Sequence, residues 1–183
     1  LNLRERQLRK ALGLRSPPQT AYRLPVGTHI VVETHYRGAS EDVNDTGRLA
    51  LYFSRSPAAG RASDLTLAAA PRGAVDAGSL RYRAQVSVQE DTMLIALRPD
   101  LQPGLESVEL TATRLDGGTE VLLFARDLLT EWPTPYIFKT PVLVGKGTAL
   151  SLTAYYRPRT DTPAPADVKM TISRYDAVSR PSR

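Results

Sequence analysis

Nine consecutive residues, LRYRAQVSV at 80–88, place an apolar side chain at every second position: Leu80, Tyr82, Ala84, Val86 and Val88. Successive side chains of a strand point to opposite faces, so this period of two predicts a strand with one face buried. The pattern recurs along most of the chain. Ile30, Val32 and Thr34 share a face within 29–36, as do Leu49, Leu51 and Phe53 within 48–54. Further strands are expected near 92–97, 107–113, 120–125, 149–156 and 167–173. LDGG at 115–118 predicts a tight hairpin turn. Only residues 2–13, NLRERQLRKALG, read as a helix: Asn2 and Glu5 form a capping box, Leu8, Ala11 and Leu12 share a face, and Gly13 suits the stop. The stretch 56–79, rich in Ala, Gly, Pro and Ser, reads as a connector, and PRTDTPAPAD at 158–167 as an exposed loop. The expected fold is all-β, an antiparallel jelly-roll-like β-sandwich with an extra hairpin and a short N-terminal helix.

Composition removes several classes of function. The chain of 183 residues has no cysteine, which excludes disulfides, thiolate metal sites and cysteine nucleophiles. No apolar run approaches the roughly 18 residues that a membrane-spanning helix needs, so no membrane span is expected in this chain. The net charge is +5, with 20 arginines against four lysines. These cations are scattered rather than interleaved with aromatics on one face, which argues against nucleic acid as a partner. Local density occurs only at the tail and in RERQLRK at 4–10, where Arg4, Arg6, Arg9 and Lys10 are the candidate partner-binding residues. The chain opens on Leu1 rather than Met, and a segment upstream of it is expected.

A repeat organises the strands. GTHIVVETHY at 27–36 aligns with GTALSLTAYY at 147–156, and an amphipathic strand follows each, RLALYFS at 48–54 and VKMTIS at 168–173. Two related units are therefore expected. The chain divides into an N-terminal helix and linker (1–23), a remnant hairpin of a first unit (24–57), a connector (58–77), a jelly-roll β-sandwich (78–176) and a basic tail (177–183).

LPVGTHIVVETHYRG followed by DTGRLALYFSRSP resembles the end of the first domain of the copper type II, ascorbate-dependent monooxygenases, the family of the peptidylglycine α-hydroxylating and dopamine β-monooxygenases. The longer stretch from TMLIALRPDLQPG to GKGTALSLTAYY resembles that family's second domain, with a Trp and a Tyr ahead of FKTP. Together the two cover about residues 24–175. The resemblance implies two jelly-roll domains and two copper ions, one held by three histidines and the other by a His-x-His pair and a methionine. His35 occupies the position of the third histidine. At the His-x-His position this chain has Asp100-Leu101-Gln102, and the region expected to hold the ligand methionine, RYDAVSRPSR, contains none. Met170 falls in the strand alternation and reads as core.

The residues alone lead to the same conclusion about metal. A copper site takes several imidazole or thioether ligands, and the chain offers two histidines. His29 and His35 are six residues apart, roughly 20 Å in a continuous strand, so one ion cannot bridge them. Asp100 and Gln102 supply hard oxygen donors instead. No GxSxG elbow or P-loop is present, and Asp42, Asp45, Asp91, Asp100 and Asp116 read as turn formers. The expectation is therefore no enzyme, no metal, no cofactor and no catalytic residue. The expected role is a structural or docking subunit on a degenerate monooxygenase-like scaffold, with protein subunits of a larger membrane-associated complex as partners. The family's bacterial members are exported and often joined to cytochrome domains. This implies a periplasmic or otherwise extracytoplasmic place beside a respiratory or photosynthetic redox complex, reached through partners or a missing N-terminal anchor. Two alternatives stand beside it. One is a ligand- or carbohydrate-binding module using Tyr52, Trp132, Tyr136, Tyr155 and Tyr156; the other is a fragment of a copper monooxygenase whose remaining ligands lie upstream.

Overall fold

The computed structural model describes residues 20–31, 44, 49–55, 57–58, 60–76, 78–130, 133, 135–158 and 163–176. Within them the protein is all-β, and no helix among the described residues is long and apolar enough to cross a membrane. The helix expected at 2–13 and the basic tail lie outside the described residues. Nine strands form: β1 (Thr20–Tyr22), β2 (Gly60–Asp76), β3 (Ser79–Ser87), β4 (Thr92–Pro99), β5 (Leu105–Thr113), β6 (Thr119–Arg126), β7 (Tyr136–Val144), β8 (Ala149–Tyr156) and β9 (Val168–Asp176). They join in one curled sheet in the order β6-β5-β8-β3-β2-β9-β4-β7, with β1 alongside β2. Every pairing is antiparallel except β1 with β2.

The long strand β2 links the two halves of this sheet. Ala62–Ala69 pair with β9, whereas Ala70–Asp76 pair with β3, through a register shift after Pro71. The connector expected at 58–77 is thus a 17-residue strand at the centre of the sheet. Its many small residues hide the alternation of Leu65, Leu67 and Ala69 that commits it to strand, and the unit expected to begin at 78 instead takes its central strand from 60 onward.

The inner faces of both halves bury one common core. From β2, β4 and β9 come Leu67, Leu97, Met170 and Ile172; from β3, β5 and β8 come Tyr82, Leu110, Leu152 and Tyr156, all buried. The rings of Tyr82 and Tyr156 meet edge to face at 6.1 Å, and the Tyr82 hydroxyl donates to the Pro165 carbonyl at 2.8 Å. That contact anchors the loop before β9 on the core. Each fully buried side chain of this size stabilises the fold by about 1.5–3 kcal/mol, so the alternation of β3, β8 and β9 is what closes the sheet on itself. Gly104 fixes the turn ahead of β5. It has φ +96°, and a Cβ there would stand 2.5 Å from the Arg157 carbonyl and 2.9 Å from the Tyr156 ring. Only glycine fits both requirements.

The hairpin expected at 26–54 does not form a strand in its described parts, since 23–31 and 49–55 carry no ladder pairing. Its first turn nevertheless matches the turn of the aligned segment. Gly27 (φ +84°) and Gly147 (φ +82°) are both left-handed, and the amides of Thr28 and Thr148 donate to the carbonyls of Pro25 and Gly145. The segment after Thr148 finds β3 and β5 on either side and becomes β8. His29, Ile30 and Val31 stay exposed.

Candidate functional site

Because Leu67, Leu97, Met170 and Ile172 turn inward, their neighbours on β2, β4 and β9 turn outward. Asp64, Thr66, Arg98, Lys169 and Thr171, with Asp100 just past β4, line an open depression of about 590 Å³ on the outer face. Ser173 pairs with Asp64 across β2 and β9 and is completely buried. Its hydroxyl donates to Asp64 Oδ1 at 2.8 Å, and the Tyr22 hydroxyl donates to the same oxygen at 3.0 Å. Arg98 Nη2 donates to Asp64 Oδ2 at 2.8 Å and makes a long bond of 3.4 Å to Ser173 Oγ. One carboxylate on β2 thereby ties β1, β4 and β9 together.

The chemistry of this cluster is that of a clamp. Both Asp64 oxygens are committed to donors, and Ser173 has no exposed surface from which to reach a substrate. Burial raises the Tyr22 phenol above its ordinary value, and the Ser173 contact pulls the other way. The charges lining the depression are largely matched within the fold, Arg98 by Asp64 at 2.8 Å and Lys169 by Asp167 at 3.7 Å.

Asp100 lines the same depression, and it and Gln102 are held against the start of β9. The Asp100 amide donates to the Lys169 carbonyl at 2.8 Å. Gln102 Nε2 reaches Asp100 Oδ2 and the Asp167 carbonyl, both at 3.4 Å. Among the described residues no three of His, Cys, Asp or Glu come together at metal-binding range. His29 is exposed in a segment without regular structure and is not near Asp100 in any hydrogen-bonded arrangement described. His35, Trp132, Arg4, Arg6, Arg9 and Lys10 lie outside the described residues. Of the tyrosines considered for a binding face, Tyr156 is core, 1% exposed. Tyr155 is on the outer face of β8, Tyr136 begins β7, and Tyr52 is in the irregular 49–55 segment.

Among the described residues the sheet ends at β6 and β7, and these two end strands differ. On β7 the pairing with β4 jumps from Ile137 opposite Ala96 to Val142 opposite Leu94, so residues 138–141 bulge outward. Pro141 lacks an N–H, and Lys139 is exposed. A bulge, a proline and a lysine are the usual devices that stop another strand from adding to an edge. β6 has no proline or lysine, though it carries one register shift of its own and the exposed Glu120 and Arg126. Among the described residues its eight residues, TEVLLFAR, pair with β5 alone. Val121 and Phe124, opposite Thr111 and Glu109, are each 57% exposed, and Leu129 just beyond is 73% exposed. Neither Asp64 nor this edge was singled out from the sequence. The signal for Asp64 lay in the masked alternation of β2, and an edge strand is defined only by which neighbour it lacks. No protein-family model matches the chain, and no curated protein matches it.

Proposed function

We propose that the protein is a non-catalytic docking subunit, built on a degenerate copper-monooxygenase-like scaffold and attached to a larger extracytoplasmic, membrane-associated redox assembly of respiratory or photosynthetic type. The observation that carries the docking part is the β6 edge. It offers a row of backbone donors and acceptors with Val121 and Phe124 exposed beside it. A partner strand that adds here gains main-chain hydrogen bonds and covers both side chains, which is the physics of β-strand addition. The clamp around Asp64 supports the non-catalytic part, because its polar groups are spent on one another. The redox setting rests on the resemblance of residues 24–175 to the monooxygenase family.

The test is purification of a tagged copy from gently solubilised membranes of the source organism. Stoichiometric recovery with a multi-subunit redox complex is expected. Val121→Lys with Phe124→Lys, both at exposed positions, should abolish that recovery while leaving the fold intact. Recovery of the unaltered protein alone would sink the subunit reading.

A further inference from the structure

A second outer-face groove, on the other half of the sheet, has a different electrostatic character. Arg83 on β3 pairs across the ladder with Thr153 of β8, and Gln85 pairs with Ser151. On the other side Arg83 faces only the methyl group of Ala70. Arg72, from the irregular part of β2, lines the same groove with Arg83, Gln85, Ser151 and Thr153 around about 280 Å³. Arg81 lies two residues before Arg83 on the same face, about 7 Å along the strand.

Several cations elsewhere on the protein are paired. Arg98, Arg114, Arg126 and Arg157 each pair with a carboxylate. Arg72, Arg81 and Arg83 pair with none among the described residues, and the Arg81 Nε is buried without any hydrogen-bond partner. The Arg174 Nε on β9 is left unbonded in the same way, so what singles out the groove is the pair of unpaired guanidiniums that line it, Arg72 and Arg83. On the neighbouring strand β5, Glu109 stands opposite Thr153, and Glu106 is held by Arg157 and Ser79. Two unpaired arginines and no carboxylate line the groove, which leaves it positive.

We infer that this groove binds a phosphate- or sulfate-type oxyanion through Arg72 and Arg83, with the Ser151 and Thr153 hydroxyls as further donors. Guanidinium groups meet such anions with paired N–H donors in a planar fork, and hydroxyls on the groove floor complete the shell. The volume is at the low end of the range of roughly 300–1,000 Å³ usual for ligand clefts, which suits a small monoester or a lipid headgroup rather than a large ligand. The groove lies on β8, β3 and β2, and β5 separates it from β6, so it is distinct from the docking edge.

Isothermal titration of the full chain with inorganic phosphate at low ionic strength tests this, with chloride as the control. Saturable one-site binding is expected. Arg72→Gln or Arg83→Gln should each weaken it roughly tenfold, and the double variant should abolish it. Arg114→Gln, which removes a paired arginine on the distant hairpin, should leave it unchanged. A parallel arm uses phosphatidylcholine vesicles with and without phosphatidic acid. Binding to the phosphatidic acid vesicles that is lost in R72Q/R83Q, without uptake of free phosphate, assigns the anion to a headgroup and supports the site. Absence of binding in both arms, or binding that survives in R72Q/R83Q, overturns it.

Discussion

Replacing Asp64 with alanine isolates what the clamp contributes. Ser173 is completely buried and directs its hydroxyl at Asp64 Oδ1, 2.8 Å away. Once the carboxylate is removed, that proton has no acceptor, and an orphaned buried hydroxyl costs about 1–3 kcal/mol. The Arg98–Asp64 pair adds little, because its side chains are 42% and 38% exposed, and pairs open to solvent contribute about 0–1 kcal/mol. The half-buried Tyr22 hydroxyl turns to water at small cost. Asp64→Ala should therefore lower the unfolding free energy by about 1–4 kcal/mol, read from urea titration. The decisive comparison is the double variant Asp64→Ala/Ser173→Ala. Removing the hydroxyl removes the penalty, so the two changes should be non-additive by about 1 kcal/mol or more in the favourable direction. Additive losses, or a loss below about 0.5 kcal/mol for Asp64→Ala alone, would refute the idea that one carboxylate holds β1, β4 and β9 together.

Three further outcomes follow from the same geometry. Gly104→Ala combines backbone strain at φ +96° with a clash at the Arg157 carbonyl, for a loss of about 2–4 kcal/mol. Gly117→Ala, at φ +86° with open space around it, should lose only about 1 kcal/mol, and equal losses in urea unfolding would show that the clash is relieved elsewhere. Burial raises both the Tyr22 and the Tyr82 phenols. Above pH 10.0 the unfolded chain gives up protons that the folded chain keeps, so this part of the stability is complete below pH 10.0 and is lost as pH climbs toward the folded values. An absorbance titration should show late-ionising phenols, one of which disappears in Tyr22→Phe. Copper(II) added to the protein should give no stoichiometric type II signal in electron paramagnetic resonance. A tight one-to-one signal would restore the metal reading of His35 and its surroundings.

The strands with an unbroken apolar alternation were legible before any coordinates. Residues 80–88 and 149–156 became β3 and β8, and Met170, placed in the core by the same pattern, is fully buried in β9. Three strands escaped. The three residues of β1 are too few to show a period. In β2 the run of Ala, Gly, Pro and Ser resembles linker composition, and in β7 Pro141 and the bulge at 138–141 break the period. The opposite error occurred at 29–31 and 49–53, where alternation is present but the described residues have no neighbouring strand to bond. Periodicity reports which face of a strand would be buried; it does not supply the partner that makes it a strand.

The same division separates the sites. The amino-acid order by itself determined an all-β chain without cysteine, with a positive charge carried mainly by arginine. Only the tertiary structure decided that Asp64, Ser173, Arg98 and Tyr22 converge, since β1, β2, β4 and β9 come from opposite ends of the chain. It also decided that, among the described residues, Arg98 is paired with a carboxylate while Arg72 and Arg83 are not, and that β6 and β7 are the end strands of the sheet. Side-chain chemistry is local to each residue, but pairing, burial and exposure depend on which strands become neighbours, and that is settled only when the sheet closes around its core.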